Sequence, residues 1–410
     1  MMRCLWLLLS LPCVACRPSG GGQDASAAST EAYQPPPLTP AFPERPLPPL
    51  GVAEIKVAPA TPDAGMIPDA GAARPEATAA DEARRRDSLL GGERGLDHVG
   101  IALADLDAAR KAFVDLGFSN PQDGVLPNGI KNVNFYFSDG TYLELLTFYD
   151  RHKAPDIARF VERYQAGPMF AVLAVASAED TAAFLRARGF SVGAPRPGRI
   201  DPAGAGNKEK QPRPMWHTLM FERPALPGEP LFFIAYDRAV RSELFRKLED
   251  ESARRAFAHA NTVEGLRAIW IAVKDLEAAR SAYLNAGLEA GEAFALPQLS
   301  ARGVELGAGQ GSVLLLSPQE GRGPVAEFLA RRGEGILGLS LRVARLPRAR
   351  TVVERGAGIK VMAYSGFFGP SLLLTPDRAA GAWLEFTTGP ARRSAAGRGP
   401  SSDSTDNWRP

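Results

Sequence analysis

Several absences narrow the possibilities. Among 410 residues there are 3 cysteines, and all of them (Cys4, Cys13, Cys16) fall within the first sixteen positions. The rest of the chain can form no disulfide, no thiolate zinc site and no cysteine nucleophile. Histidine is scarce, with 4 in all, so imidazole ligands have few sources. Neither sign of charge dominates, because 48 basic residues meet 46 acidic ones for a net +2. That balance offers no basic stripe of the kind nucleic-acid binding needs. No apolar run reaches the roughly 20 residues of a membrane-spanning helix.

The N-terminus has instead the form of a secretory signal. Met1-Met2-Arg3 precedes the apolar Leu5-Trp6-Leu7-Leu8-Leu9, and small residues lead to Val14-Ala15-Cys16. Ending in Ala-Cys, it resembles a bacterial lipoprotein signal, which implies lipidation at Cys16 and an anchor to a membrane facing outside the cytoplasm. Cys13 stands where such signals usually place leucine, so ordinary secretion is the alternative. From 17 to 93 the chain has no sustained hydrophobic period. Prolines at 35–37, 43, 46, 48 and 49 and a repeated Pro-Asp-Ala-Gly at 62–65 and 68–71 give it a composition expected to stay disordered. It is expected to serve as a semi-extended tether.

Ordered structure is expected from about residue 94. Residues 96–103 form a β-rich run, Asp105 supplies an N-cap, and Leu106, Ala109, Phe113 and Leu116 make an apolar helical face. Gly117 is placed to end that helix. Strands are expected near Val125, at 131–137 and at 141–148, the last two joined by Ser138-Asp139-Gly140. The unit then recurs. ALADLDAARKAFVDLG at 102–117 and AVKDLEAARSAYLNAG at 272–287 align without a gap at an offset of 170 residues. Weaker copies fall at 170–190 and 337–357, giving four units. Several β-branched runs and only one convincing helix per unit argue against a helical solenoid. The expected class is α+β, with four βαβββ modules paired into two domains at 94–238 and 263–388. A helical linker is expected at 239–262 and a disordered tail at 389–410.

The run Leu96-Asp97-His98-Val99-Gly100-Ile101, the Asp105-Leu106 cap, Leu116-Gly117-Phe118 and Tyr142-Leu143-Glu144-Leu145-Leu146 resemble the glyoxalase-like domains of the vicinal-oxygen-chelate superfamily. Pro230-Leu231-Phe232-Phe233-Ile234 and Trp383-Leu384-Glu385-Phe386 suit the same group. The resemblance implies a cleft in each paired sheet, to which each module can offer a first-strand His and a last-strand Glu as ligands to a divalent metal. Imidazole and carboxylate suit Zn, Fe, Mn, Ni or Co, and open positions admit a substrate that chelates through two oxygens. In the first module His98 and Glu144 occupy these positions. The corresponding pairs are Phe170 and a residue near Phe233 in the second module, Ala268 and Leu315 in the third, and Gly338 and Glu385 in the fourth. The second domain then has no ligand set.

Glu144 is the leading candidate, because a carboxylate in an apolar strand is costly unless paired or coordinated. It is expected as a metal ligand and as the catalytic proton-transfer group, with a buried ion pair as its structural alternative. His98 is expected as a ligand or base, or else as a hydrogen-bonded strand histidine. His217 is a possible third ligand or a pocket residue. Asn134 and Tyr136 alternate to one face beside Glu144 and, with Phe170, would contact a small-molecule ligand. His152 and His259 are expected at the surface. Residues 193–214 form a long loop with Arg196, Arg199, Lys208, Lys210 and Arg213, able to cover the cleft or to remain a solvated insertion. Three functions follow: a metal-dependent lyase, isomerase or dioxygenase acting in the first domain, a non-catalytic small-molecule binder on the same scaffold, or a structural surface lipoprotein that uses the fold only as a scaffold.

Overall fold

The computed structural model describes residues 95–126, 128–198, 214–228, 231–237, 255 and 257–389. The signal, the tether, the tail, most of the linker helix and the part of the long loop at 199–213 lie outside the described residues.

Each module opens with a strand followed by a helix, and in the first three modules a side-chain cap fixes the helix start. In the first, β1 (Gly95–Leu103) leads to α1 (Leu106–Asp115), and the Asp105 carboxylate accepts from the Ala108 amide at 2.9 Å. Gly117 then turns the chain at φ +90°, a left-handed conformation that glycine adopts without a Cβ clash. β2 (Gln122–Leu126), β3 (Ile130–Tyr136) and β4 (Tyr142–Phe148) complete the module. The second has β5 (Ala166–Ala174), α3 (Ala178–Ala187), β6 (Arg196–Gly198), β7 (Trp216–Leu219) and β8 (Leu231–Tyr236). Between them, α2 (Pro155–Tyr164) connects the modules.

The second domain repeats the scheme. It contains β9 (Val263–Ala272), α4 (Leu276–Asn285), β10 (Glu289–Leu296), β11 (Ala301–Ala308) and β12 (Gly311–Pro318), and then α5 (Pro324–Arg332). β13 (Gly335–Val343), α6 (Leu346–Ala357), β14 (Met362–Gly366), β15 (Gly369–Leu374) and β16 (Trp383–Thr387) follow. The sheet orders are β2-β3-β4-β1-β5-β8-β7-β6 and β10-β11-β12-β9-β13-β16-β15-β14, the same order strand for strand. In each, the first strands of two modules pair antiparallel at the centre, and each pairs parallel with the last strand of its own module. This is the α+β architecture of four βαβββ modules in two paired sheets.

Alternation sends Val99, Ile101, Leu143 and Leu145 into a core that also contains Ile269, Leu315, Leu339 and Leu384 of the second domain. The helix-bearing sides of the two sheets thus share one hydrophobic core. Polar ties reinforce the junction: Thr141 Oγ1 accepts from the Leu266 amide at 2.8 Å, and Arg342 pairs with Glu264 and reaches Asp139 at 3.8 Å. The opposite, concave faces are where ligand chemistry can be housed.

Two expectations need correction here. Arg196 belongs to a short strand, β6, paired with β7, so the segment after Gly193 is not wholly loop. His259 is buried, not at the surface: its Nδ1 accepts from the Ser119 amide at 2.8 Å and its Nε2 lies 3.0 Å from the Tyr136 carbonyl.

Candidate functional site

In the first domain β1 and β4 run parallel with His98 opposite Tyr142 and Gly100 opposite Glu144. His98 and Glu144 therefore project into the concave face one step apart. Both are buried, and His98 Nε2 lies 3.8 Å from Glu144 Oε2. That exceeds hydrogen-bond length, so the two do not satisfy one another directly. The other Glu144 oxygen accepts from Asn132 Nδ2 at 2.6 Å.

The β1–β5 register shifts between Leu96 and His98, a bulge that falls on Asp97. The buried Asp97 carboxylate meets His98 Nδ1 at 2.7 Å and accepts from the Tyr236 hydroxyl at 3.0 Å. A carboxylate on Nδ1 makes that nitrogen the N–H donor and turns Nε2 towards Glu144. The Tyr142 ring stacks on the imidazole with centroids 4.2 Å apart and holds its plane.

Asn132, Asn134 and Tyr136 alternate to the same face along β3, with Asn134 paired to Glu144 and Tyr136 to Tyr142. Asn134 hydrogen-bonds the Tyr136 side chain, and burial, then the Glu144 charge, raises the Tyr136 phenol well above its ordinary range. Tyr142 is raised as well, chiefly by burial and next by Tyr236. Both therefore remain neutral. The Oδ1 atoms of Asn132 and Asn134 are buried without a partner among the described residues. Two amide oxygens so placed would accept from the hydroxyl or amine of a bound molecule.

The remaining wall is aromatic. Phe170 is the His98 counterpart of the second module, since the helix caps Asp105 and Ser177 keep the same 72-residue offset. The β5–β8 pairing puts Phe232 opposite Val172, so Phe232 takes the Glu position and not Phe233, whose side chain joins the core behind the sheet. Phe170 and Phe232 meet the imidazole edge-on at 6.2 and 6.4 Å. Gly100 makes this possible, because a Cβ there would lie 2.2 Å from the Phe170 ring. His217 does not join the site. Trp216 pairs with Tyr236 on the concave side, and His217, one residue on, pairs with Ala235 on the helix side.

A divalent metal fits this donor set poorly. Catalytic zinc takes three protein ligands and a non-haem iron triad likewise needs three. Here Phe170 and Phe232 fill two of the four ligand positions, Asp97 is engaged at Nδ1, and His98 and Glu144 remain. Among the described residues no group of three or more His, Cys, Asp or Glu side chains is arranged to hold an ion.

The second domain uses the same positions differently. Trp270 replaces Gly100, and its indole fills the cleft and donates to Ser340 Oγ at 2.8 Å. Ser340 donates in turn to Glu385, which lies opposite it on β16 as Glu144 lies opposite Gly100. Burial raises the Glu385 carboxyl, while bonds from Ser340 and Ser371 and the charge of Arg267 pull it back. The third-module counterpart of Glu144 is Leu314, opposite Trp270, and not Leu315, which alternates to the shared core.

Residues 96–287 match the family model described as "Glyoxalase-like domain", a span that crosses the first domain and enters β9 and α4 of the second. No curated protein matches the sequence. Among solved structures, methylmalonyl-CoA epimerase from Mycobacterium tuberculosis is 27% identical over 33% of this chain and 93% of its own, with a TM-score of 0.30. A mutant of 4-hydroxymandelate synthase from Streptomyces coelicolor is 16% identical over 72% of this chain and 92% of its own, with a TM-score of 0.48. A hypothetical protein from Staphylococcus aureus is 15% identical over 71% and 98%, with a TM-score of 0.46.

Proposed function

From a chain that carries glyoxalase-like domains of the vicinal-oxygen-chelate superfamily, we propose that the first domain binds a small oxygen-rich molecule in its concave cleft and moves a proton on it, as a lyase or isomerase would. The observation that carries this reading is the buried series Asp97–His98–Glu144, with a 2.7 Å contact at Nδ1 and a 3.8 Å gap at Nε2. Asp97 stabilises an imidazolium when Nε2 takes a proton, and Glu144 is the second group able to give or receive one. A ligand oxygen between them comes within hydrogen-bond reach of both. Neutral Tyr136 and Tyr142 donate, Asn132 and Asn134 accept, and Phe170 with Phe232 keeps water from the reacting face.

A second reading, binding without chemistry, is favoured by one observation: aromatic rings occupy half of the superfamily's ligand positions. One experiment separates the two. The full chain is incubated in D2O with small α-hydroxy ketones, and exchange of the carbon-bound proton is followed by NMR. The proton-transfer reading expects exchange in the wild type and its loss in His98→Gln and Glu144→Gln. Saturable binding without exchange would establish the second reading. Stoichiometric metal in the purified protein, lost in His98→Ala, would overturn the metal-free assignment of these residues.

We further propose that lipidation at Cys16 tethers the domains to a membrane surface through 17–93. Cys16→Ser is expected to leave the precursor unprocessed, whereas unchanged release would point to ordinary secretion.

A further inference from the structure

At the edge of the second domain's concave face, beside the cleft that Trp270 fills, a groove of about 380 Å³ lies where α2 meets α5, β13 and β16. Tyr164, Phe328 and Trp383 supply ring walls, and Arg163, Arg331 and Arg332 supply three guanidinium groups. No carboxylate among the described residues lines it. Of the acidic side chains along the same elements, Glu162 meets Arg151 at 2.8 Å, Asp377 meets Arg378 at 3.1 Å and Glu334 accepts from the Lys274 amide at 2.8 Å, while the exposed Glu327 stands one turn before Arg331 and does not line the groove.

The half-buried Arg332 is held in place rather than free to sweep. It donates to the Ala166 carbonyl at 2.6 Å and to that of Tyr164 at 3.5 Å, and its guanidinium lies 4.8 Å from the Tyr164 ring centroid and 5.8 Å from that of Phe328. A Cβ at Gly167 would come within 2.2 Å of Arg332 Nη1 and push the guanidinium aside. Arg163 stacks on Tyr164 at 5.2 Å. Burial lowers the Arg332 pKa, Tyr164 partly offsets that, and Arg331 adds to it. Three like charges facing a groove that no carboxylate among the described residues lines are stabilised by an anion placed among them. The volume suits a molecule of a few rings or fewer.

We propose that this groove is a second binding site, independent of the first-domain cleft, for a small molecule that joins an oxyanion to a flat ring. The oxyanion meets Arg163, Arg331 and Arg332, and the ring packs among Tyr164, Phe328 and Trp383. Phosphate and carboxylate present the same chemistry to guanidinium forks, and the test separates them.

The full chain is titrated calorimetrically with phenyl phosphate and with benzoate, using phenol and inorganic phosphate as the ring-only and anion-only comparisons. Saturable binding of at least one ring-bearing anion is expected, tighter than either comparison and weakened by salt. Arg163→Ala/Arg331→Ala should weaken it about tenfold or more, the scale of one lost charge-assisted hydrogen bond. Both positions are exposed, so the double variant should melt with the wild type. Arg163→Lys/Arg331→Lys, which keeps the charge, should recover part of the affinity, and His98→Gln should leave it unchanged. The proposal is overturned if neither ring-bearing anion saturates by about 10 mM, if phenol binds equally well, if the double alanine variant binds like the wild type, or if His98→Gln abolishes binding.

Discussion

At the residue scale the first cleft depends on Asp97 as much as on the two residues it orients. Its carboxylate holds the imidazole N–H and receives the Tyr236 hydroxyl. Both donors meet the same oxygen, Oδ1, so asparagine keeps the shape and the acceptor but removes the negative charge that stabilises an imidazolium. Asp97→Asn should therefore lower proton exchange about 100-fold or more, within the usual worth of acid–base catalysis, while ligand binding changes little. A loss of binding with exchange per bound ligand intact would show that Asp97 only supports the cleft wall. Asp97→Ala should also cost about 1–3 kcal/mol of stability, because it strands a buried hydroxyl and a ring nitrogen.

At the scale of elements, much was legible in the amino-acid order. Caps at Asp105 and Asp275 and the glycines that end their helices occur at a constant spacing, and each is a local event that needs no tertiary knowledge. Glu144 was legible because a lone carboxylate in YLELLTF has few comfortable fates. What failed was register. The sequence pattern places the Glu position only near Phe233, where Phe232 holds it, and at Leu315, one residue past Leu314, and one residue in a strand exchanges the cleft face for the core face. Asp97 was hidden for the same reason, since only a bulge brings adjacent side chains to one site. His217 followed the wrong parity on β7. His259, in polar-looking sequence, is buried by contacts with residues more than a hundred positions away.

That histidine fixes a pH dependence. Its Nε2–H donates to the Tyr136 carbonyl in either charge state, but its Nδ1 can accept from the Ser119 amide only while the ring is neutral. Burial lowers its pKa from 6.5 to about 4 despite the Tyr136 carbonyl, which acts the other way. The unfolded chain then binds the proton first as pH falls. The contribution of His259 is fully present above about 6.5 and is lost between there and about 4, amounting to ~3 kcal/mol at full protonation. Denaturant midpoints at pH 7 and pH 4.5 should separate more in the wild type than in His259→Gln. Equal separations would mean that His259 does not carry the acid sensitivity.

At the scale of the whole molecule, the two sheets are duplicated but not independent. Their helix-bearing faces bury one continuous core in which Leu145 of the first domain and Leu384 of the second belong to the same cluster. Phe118 lies 6.5 Å from Phe386 across the junction. The filled second cleft, with Trp270 where the first domain has Gly100, fits a division of labour in which one sheet keeps an open cleft and the other braces it. Domains that share an apolar interface this extensive unfold together, whereas those meeting through a small polar one unfold separately. Calorimetry of the full chain should accordingly show one heat-absorption peak for residues 95–389. Leu384→Ala, which removes about 2–5 kcal/mol from the core, should lower that single peak and shift ligand binding in the first cleft to the same lower temperature. Leu145→Ala should do the same from the other side. Two resolved peaks, or a Leu384→Ala protein whose first cleft still binds after its second domain has melted, would show that the shared core does not couple the two halves.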